Sequence, residues 1–322
     1  MALVSIWTAA AVLLAAASSS QAVDPLTARV DHSAARRFAK LWHATHGNPS
    51  AAQLQTQYLE NGGRGIEVFT PDRIVNAENL AANIAHARDI YGDAVERCLP
   101  WVAATNPELR SVYLGLRGLF PNRPLPEIAV VIGANNSGGT AAPGIQVIGL
   151  EVICRLSPTR EAFNARMRQF FAHETVHTFQ KELSPESQKD ALLAQALIEG
   201  VPDFVTELVT AQVPDPARDA WARSREAWIW GQFQHDAAVV RTGTKANGDM
   251  TPKAQAAFKR WFGNAGHPPD GWPSELGYWV GMRIAEKYVA ESHDPHAAID
   301  QLLDPRHPAA IIAESGYGLQ LK

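Results

Sequence analysis

Lysine and arginine never gather into a run in this chain. The 29 basic residues are outnumbered by 33 acidic ones, for a formal net charge of −4. With no basic patch to neutralise a phosphate backbone, nucleic acid is excluded as an expected partner. Cysteine is scarcer still. Cys98 and Cys154 are the only two, so at most one disulfide can form within the chain, joining the N-terminal part to the strand region in an oxidising compartment. Two small buried thiols are the other reading, since spacing along the chain does not reveal whether the two Cα atoms approach within bridging distance. Internal repeats and low-complexity tracts are missing beyond the first residues. Charged residues make up 19% of the chain against 46% hydrophobic, which excludes a disordered chain and supplies one large domain or two closely packed lobes.

The start of the chain is apolar from Met1 to Ala17, then passes through Ser18-Ser19-Ser20-Gln21 to Ala22. Ser20 and Ala22 are the small residues that a signal peptidase requires, so residues 1–22 read as a leader cut after Ala22, and the rest as a periplasmic or secreted protein. No Lys or Arg precedes the apolar stretch, and a retained anchor is the alternative, although the stretch falls short of the roughly 20 residues of a span. The first cysteine, Cys98, lies far from this region, which argues against a lipid-anchored start. After cleavage no stable membrane association is expected.

From Asp31 to about Phe120 apolar residues recur at helical spacing, as in Phe38, Leu41, Trp42 and Leu80, Ile84, Ala87, Tyr91, so 23–125 reads as a helical region. The period then changes. Glu127–Gly133 and Ile145–Leu150 are short β-branched runs separated by a turn at 135–140, and two strands follow from them. A helix opens at Pro158-Thr159 and extends to Leu183 without internal Gly or Pro. Further helices are expected over 186–198, 204–211, 217–233 and 254–262, then a Gly/Pro-rich loop over 263–273, and a last helix over 276–289. Helices around a small sheet make an α+β protein dominated by helix.

The helix from Pro158 carries His173-Glu174-Thr175-Val176-His177. Residues four apart share a helix face, so His173 and His177 can present two imidazoles to one ion, and Glu174 projects beside them as a base for a metal-bound water. Roughly 0.02 such patterns are expected by chance in a chain of this composition, and the bulky Phe170-Phe171 pair sets the histidines at the edge of the buried face. A catalytic zinc needs a third protein ligand. Glu182, Asp190, Glu199 and Glu207 compete, and Glu199 is preferred because Leu197, Ile198, Val201 and Phe204 flank it. Asp203 then fits the role of accepting the free N–H of a liganding histidine; an N-cap near Pro202 is its other reading. A fourth ligand at suitable spacing is not seen.

Together with Ile132-Gly133, Ser137-Gly138-Gly139-Thr140, Ile148-Gly149-Leu150-Glu151, Glu199-Gly200-Val201-Pro202-Asp203-Phe204 and Leu276-Gly277-Tyr278-Trp279-Val280-Gly281, the motif resembles gluzincins. More narrowly it resembles a family of exported bacterial predicted zinc-dependent proteases, over about Pro126 to Tyr288. The resemblance implies a zincin-like domain over 126–322 beside the N-terminal helical region. It also implies Zn2+ held by His173, His177 and Glu199, with Glu174 as catalytic base in peptide-bond hydrolysis and a peptide or protein as substrate. Tyr278 is the position for stabilising an oxyanion, with Arg283 a weaker companion. By the same resemblance the strand 147–150 borders the substrate cleft and Glu151 meets a substrate amino group, while the glycines near Ser137 read equally as a tight hairpin. Pro202 stands where a helix former is usual and puts helical continuity after Glu199 in question. A hydrolase acting on a non-peptide amide or ester and a non-catalytic envelope protein with a structural zinc site are the rival functions.

Overall fold

β2 (Glu127–Val131) and β4 (Ile145–Gly149) lie side by side and parallel, at the centre of a four-stranded sheet of order β1-β2-β4-β3. β1 is the two-residue Val30–Asp31, parallel to β2, and β3 (Gly139–Ala142) closes the other edge antiparallel to β4. In this computed structural model residues 22–245, 247–319 and 321 are described. The leader expected over 1–22 lies outside them except for Ala22.

The sheet corrects the simple hairpin expected between the two β-branched runs. The chain leaves β2, passes through 132–138 to the far side of β4, runs back as β3, and turns at Pro143-Gly144 into β4, where Gly144 takes φ +72°. β4 is buried at every position, as a strand must be when it is central and covered on both faces.

Numbering helices of two turns or more, α1 (Ser33–Ala44), α2 (Ala77–His86) and α3 (Asn106–Leu119) form the N-terminal helical region, with short α- and π-helical segments between them. α4 (Arg160–His177) carries the motif, and α5 (Ala191–Thr210), α6 (Pro216–Arg223), α7 (Glu226–Gly243), α8 (Pro252–Lys259), α9 (Leu276–Glu291), α10 (Pro295–Leu302) and α11 (Pro308–Ser315) follow. The molecule is thus predominantly helical α+β with a small mixed sheet. α10 and α11 were not expected, yet Asp294-Pro295 is a cap followed by proline at the first helical position, a start signal legible in the sequence.

One hydrophobic core runs from α1 through the sheet into α5 and α9. The N-terminal helices also reach the sheet through hydroxyls. Tyr58 donates to the Ile132 carbonyl and accepts from the Ile132 N–H, both at 2.7 Å. Tyr91 donates to the Gly133 carbonyl at 3.0 Å. Cys98 and Cys154 are joined in a disulfide, tying the segment Ala94–Cys98 to the short helix Leu150–Arg155. Of the two cysteine readings, the bridge is the one the fold adopts.

α5 corrects the break expected around Pro202. It runs unbroken through that residue because it is held from both sides, by α4 and by α9. Where α5 crosses α9 the backbones touch: a Cβ on Gly281 would sit 1.7 Å from the Ala196 carbonyl oxygen, and one on Gly200 2.2 Å from the Gly281 carbonyl carbon. Only glycine fits at either position. This contact brings Glu199 on one helix next to Tyr278 on the other.

Candidate metal centre

α4 starts where Thr159 caps it, its hydroxyl accepting from the Ala162 N–H at 3.2 Å. It stops at His177, six residues short of the expected Leu183. Its last turn tightens as the N–H groups of Thr178 and Phe179 reach back three residues, to Thr175 and Val176. Phe163, Met167, Phe171, Ala172, Thr175 and Val176 are its buried face. A polar clamp from the sheet fixes its height: Gln146, wholly buried in β4, donates to the Phe170 carbonyl at 2.6 Å and accepts from the Thr175 hydroxyl at 3.3 Å. These two bonds bracket His173.

The two histidines point to one place. Their Nε2 atoms are 3.1 Å apart, and Glu199 Oε2 lies 3.4 Å from that of His173 and 3.5 Å from that of His177. Ligand atoms about 2.0–2.1 Å from a tetrahedral zinc stand roughly 3.3 Å from one another, so the three donors form one face of such a sphere without rearrangement. Among the described residues this is the group of histidine, cysteine and acidic side chains close enough to hold a metal.

Each donor is oriented by a second side chain. His173 Nδ1 lies 2.9 Å from Asp203 Oδ1, so a proton there leaves the Nε2 lone pair for a metal. Asp203, on α5, is almost fully buried and pairs through its other oxygen with Arg218 Nη2 at 2.9 Å; Arg218 also donates to the Glu275 carbonyl at 3.0 Å, just ahead of α9. His177 Nδ1 lies 2.7 Å from Gln180 Oε1, and Gln180 Nε2 donates to the Ile198 carbonyl at 2.9 Å. That carbonyl is the one a regular helix would bond to the N–H of residue 202. Pro202 has none, so the residue that seemed to threaten α5 frees an acceptor that Gln180 uses. Gln195 Nε2 donates to Glu199 Oε1 at 3.0 Å.

Charge follows the same pattern. Burial works against charged imidazoles, but the carboxylates of Asp203 and Glu199 outweigh it and raise His173 to about 10 in the metal-free protein; His177 moves the same way, with Glu199 as its main support. Burial pushes Glu199 up, yet the two imidazoles hold it well below the usual carboxylate range. Tyr278 stacks on His173 at 6.0 Å between ring centroids and 17° between planes, with the Arg218 guanidinium 5.3 Å from its centroid. Burial first, then Glu199, raises its hydroxyl above the usual phenol range, so it remains a proton donor beside the site.

Glu174 sits between α4 and β3, 9% exposed, and Gly139 makes room for it: a Cβ there would come 2.8 Å from Glu174 Oε1. These side chains line a cleft of about 580 Å³, with His173, His177, Glu199, Tyr278, Ser137 and Thr140 in its wall and Arg73 contributed from the N-terminal region.

Other expected residues lie elsewhere. Glu151 meets no cleft; it is wholly buried and accepts from the backbone N–H groups of Gly133 at 3.0 Å and Asn135 at 3.2 Å. Arg283 pairs with Glu226 at 2.9 Å and with Glu286, one turn past Tyr278 and engaged away from it. Asp190 is bound to Arg241, and Glu182 lines the cleft without joining the donors. Gln146 and Arg218 were not singled out in the sequence, because each acts on a residue distant in the chain; Gln180 and Gln195 lie only three and four residues from His177 and Glu199, a local spacing that could have marked them, and Pro202, a helix breaker inside an apolar helix, signalled an unpaired carbonyl.

Comparison with curated proteins and with solved structures gives no match. A family model described as Gliding motility protein GldB matches residues 20–318. That match overturns the resemblance to predicted zinc-dependent proteases, since the two families differ and this one spans nearly the whole chain. It also overturns peptide-bond hydrolysis as the function, and with it the description of the chain as a hydrolase, protease or metalloprotease. The chain is instead an exported, envelope-associated protein, and with 20–318 matched it belongs to the gliding motility protein GldB family.

Proposed function

We propose that this chain is a non-catalytic envelope protein that holds one zinc ion through His173, His177 and Glu199 and binds a ligand at the position facing the cleft. The reading is carried by the donor triangle, with edges of 3.1, 3.4 and 3.5 Å, in which every donor already has an orienting partner. A cluster serving only as buried polar packing has no need for three potential donor atoms converging on one point. Zinc would supply a Lewis-acidic position; Asp203 and Gln180 hold the imidazoles in the required tautomer, and Glu199 balances the charge. The proposed architecture is zincin-like, with the motif helix against a small sheet whose outer strand borders the cleft. Removal of the leader after Ala22 would leave the folded part in the periplasm.

Elemental analysis of the purified mature chain tests the reading. About one zinc per chain is expected, lost in Glu199→Ala, with a lower melting temperature after chelation. A chain that retains no zinc and does not respond to chelator overturns it.

A further inference from the structure

Among the described residues Arg73 is the single lysine or arginine lining the cleft, whose walls also carry Glu174, Glu182 and Glu199. It belongs to none of the elements that build the metal centre. It comes from the π-helical segment Thr70–Ile74 of the N-terminal region, and its placement there is held by unusual backbone. The segment ends at Val75, a β-branched residue with φ +68° and ψ −63°, where glycine would be the comfortable choice. The turn is pinned from several directions: the Asn76 N–H donates to the Ile74 carbonyl at 2.9 Å, Asn79 Nδ2 donates to the same carbonyl at 2.9 Å, and Asn136 Nδ2 donates to the Arg73 carbonyl at 3.0 Å. Asn136 directly precedes Ser137 of the cleft wall, so the wall and the arginine are fastened together. Conformations of this kind persist where the surroundings over-determine them, and they concentrate at binding sites.

The guanidinium has little to neutralise it. Its ion pair is with the adjacent Asp72 at 3.3 Å, whose side chain is 76% exposed, and such surface pairs are worth about 0–1 kcal/mol. The Arg73 side chain itself is 33% exposed. A planar fork of donors, partly withdrawn from water and sharing a cleft with a metal-binding face, suits a carboxylate better than any neutral group.

We infer that Arg73 is the specificity-determining residue of the cleft and that the ligand is an anion, with one end on the zinc and a carboxylate on Arg73. This rests on the zinc-centre reading and adds the chemical class of what binds there. The test uses ω-carboxyalkyl hydroxamates of increasing chain length against alkyl hydroxamates of the same lengths, titrated calorimetrically into the zinc-loaded chain and into Arg73→Met. At the length that spans the cleft the carboxylated probe should bind about tenfold tighter than its neutral partner, and Arg73→Met should bring the ratio close to one, with zinc content unchanged. A ratio near one at every length in the unaltered chain, or a ratio that survives Arg73→Met, overturns the inference while leaving the zinc centre standing. Absence of bound zinc overturns the proposed function and this inference together.

Discussion

Two buried carboxylates, some distance apart in this molecule, behave in opposite ways. Glu151 closes the loop after β2, where burial pushes it up to about 7 and the backbone N–H groups of Gly133 and Asn135 only partly offset that. Glu199 is also buried, but two imidazoles face it and hold it far below its ordinary range. Burial costs an anion in both places; what differs is whether the neighbours are dipoles or groups able to carry positive charge. The first arrangement organises backbone and the second is poised for a cation.

Removing the second arrangement should have the largest effect. Glu199→Ala is expected to weaken zinc binding by more than about 100-fold, beyond the usual cost of losing an orienting partner, as measured by competition with a chromogenic chelator. Asp203→Asn keeps the shape but deprives His173 of its anion and leaves Arg218 buried without a counter-charge. Zinc affinity should drop by about 10- to 100-fold, and urea denaturation should show a loss of about 3 kcal/mol in the metal-free chain.

Glu151 provides the contrasting pH response. Its folded-state value of about 7 lies above the ordinary 4.5, so folding favours the protonated form. The stability it contributes, relative to Glu151→Gln, is complete below pH 4.5 and is lost as pH rises through 7, by roughly 3 kcal/mol. Urea midpoints of the two proteins between pH 4 and 8 measure this, and parallel curves would break the comparison. Zinc affinity should change in the other direction, falling on acidification, because His173 must give up its proton to a metal.

The smallest effect should come from Pro202→Ala. The restored N–H competes with Gln180 for the Ile198 carbonyl and loosens the hold on His177. Zinc affinity is expected to fall about threefold to tenfold, within the lower part of the range for orienting partners, while α5 gains stability from its extra hydrogen bond. Unchanged affinity would show that Gln180 orients His177 without the freed carbonyl.

Much of the donor set was legible because helical periodicity is local. The four-residue spacing of His173 and His177 brings the imidazoles onto one face whatever surrounds them, and the apolar residues about Glu199 marked it as packed. The β-branched runs marked β2 and β4 for the same reason. Their pairing was not legible, since the parallel register depends on β3 passing to the far edge, and β3 itself, Gly139–Ala142, lacks the β-branched pattern apart from Thr140. α6 and α7 were expected as one helix because nothing around Ser224-Arg225 is a strong breaker. Glu151 was expected at a substrate only through the family resemblance, which the burial of its side chain does not bear out; here Gly133 and Gly149 make space for the packing of Phe69 and the buried carboxylate.

By itself the sequence determined what one helix or one strand decides: the imidazole pair, the carboxylate of Glu174 beside it, the caps, the apolar stripes and an apolar start followed by small residues. Only the tertiary structure decided which distant groups complete the centre. Asp203 with Arg218, Gln180 with the Ile198 carbonyl, and Arg73 across the cleft all depend on helices crossing at Gly200 and Gly281 and on the path of the chain around the sheet. Contacts between residues far apart in the chain arise from packing of whole elements, and no local period records them.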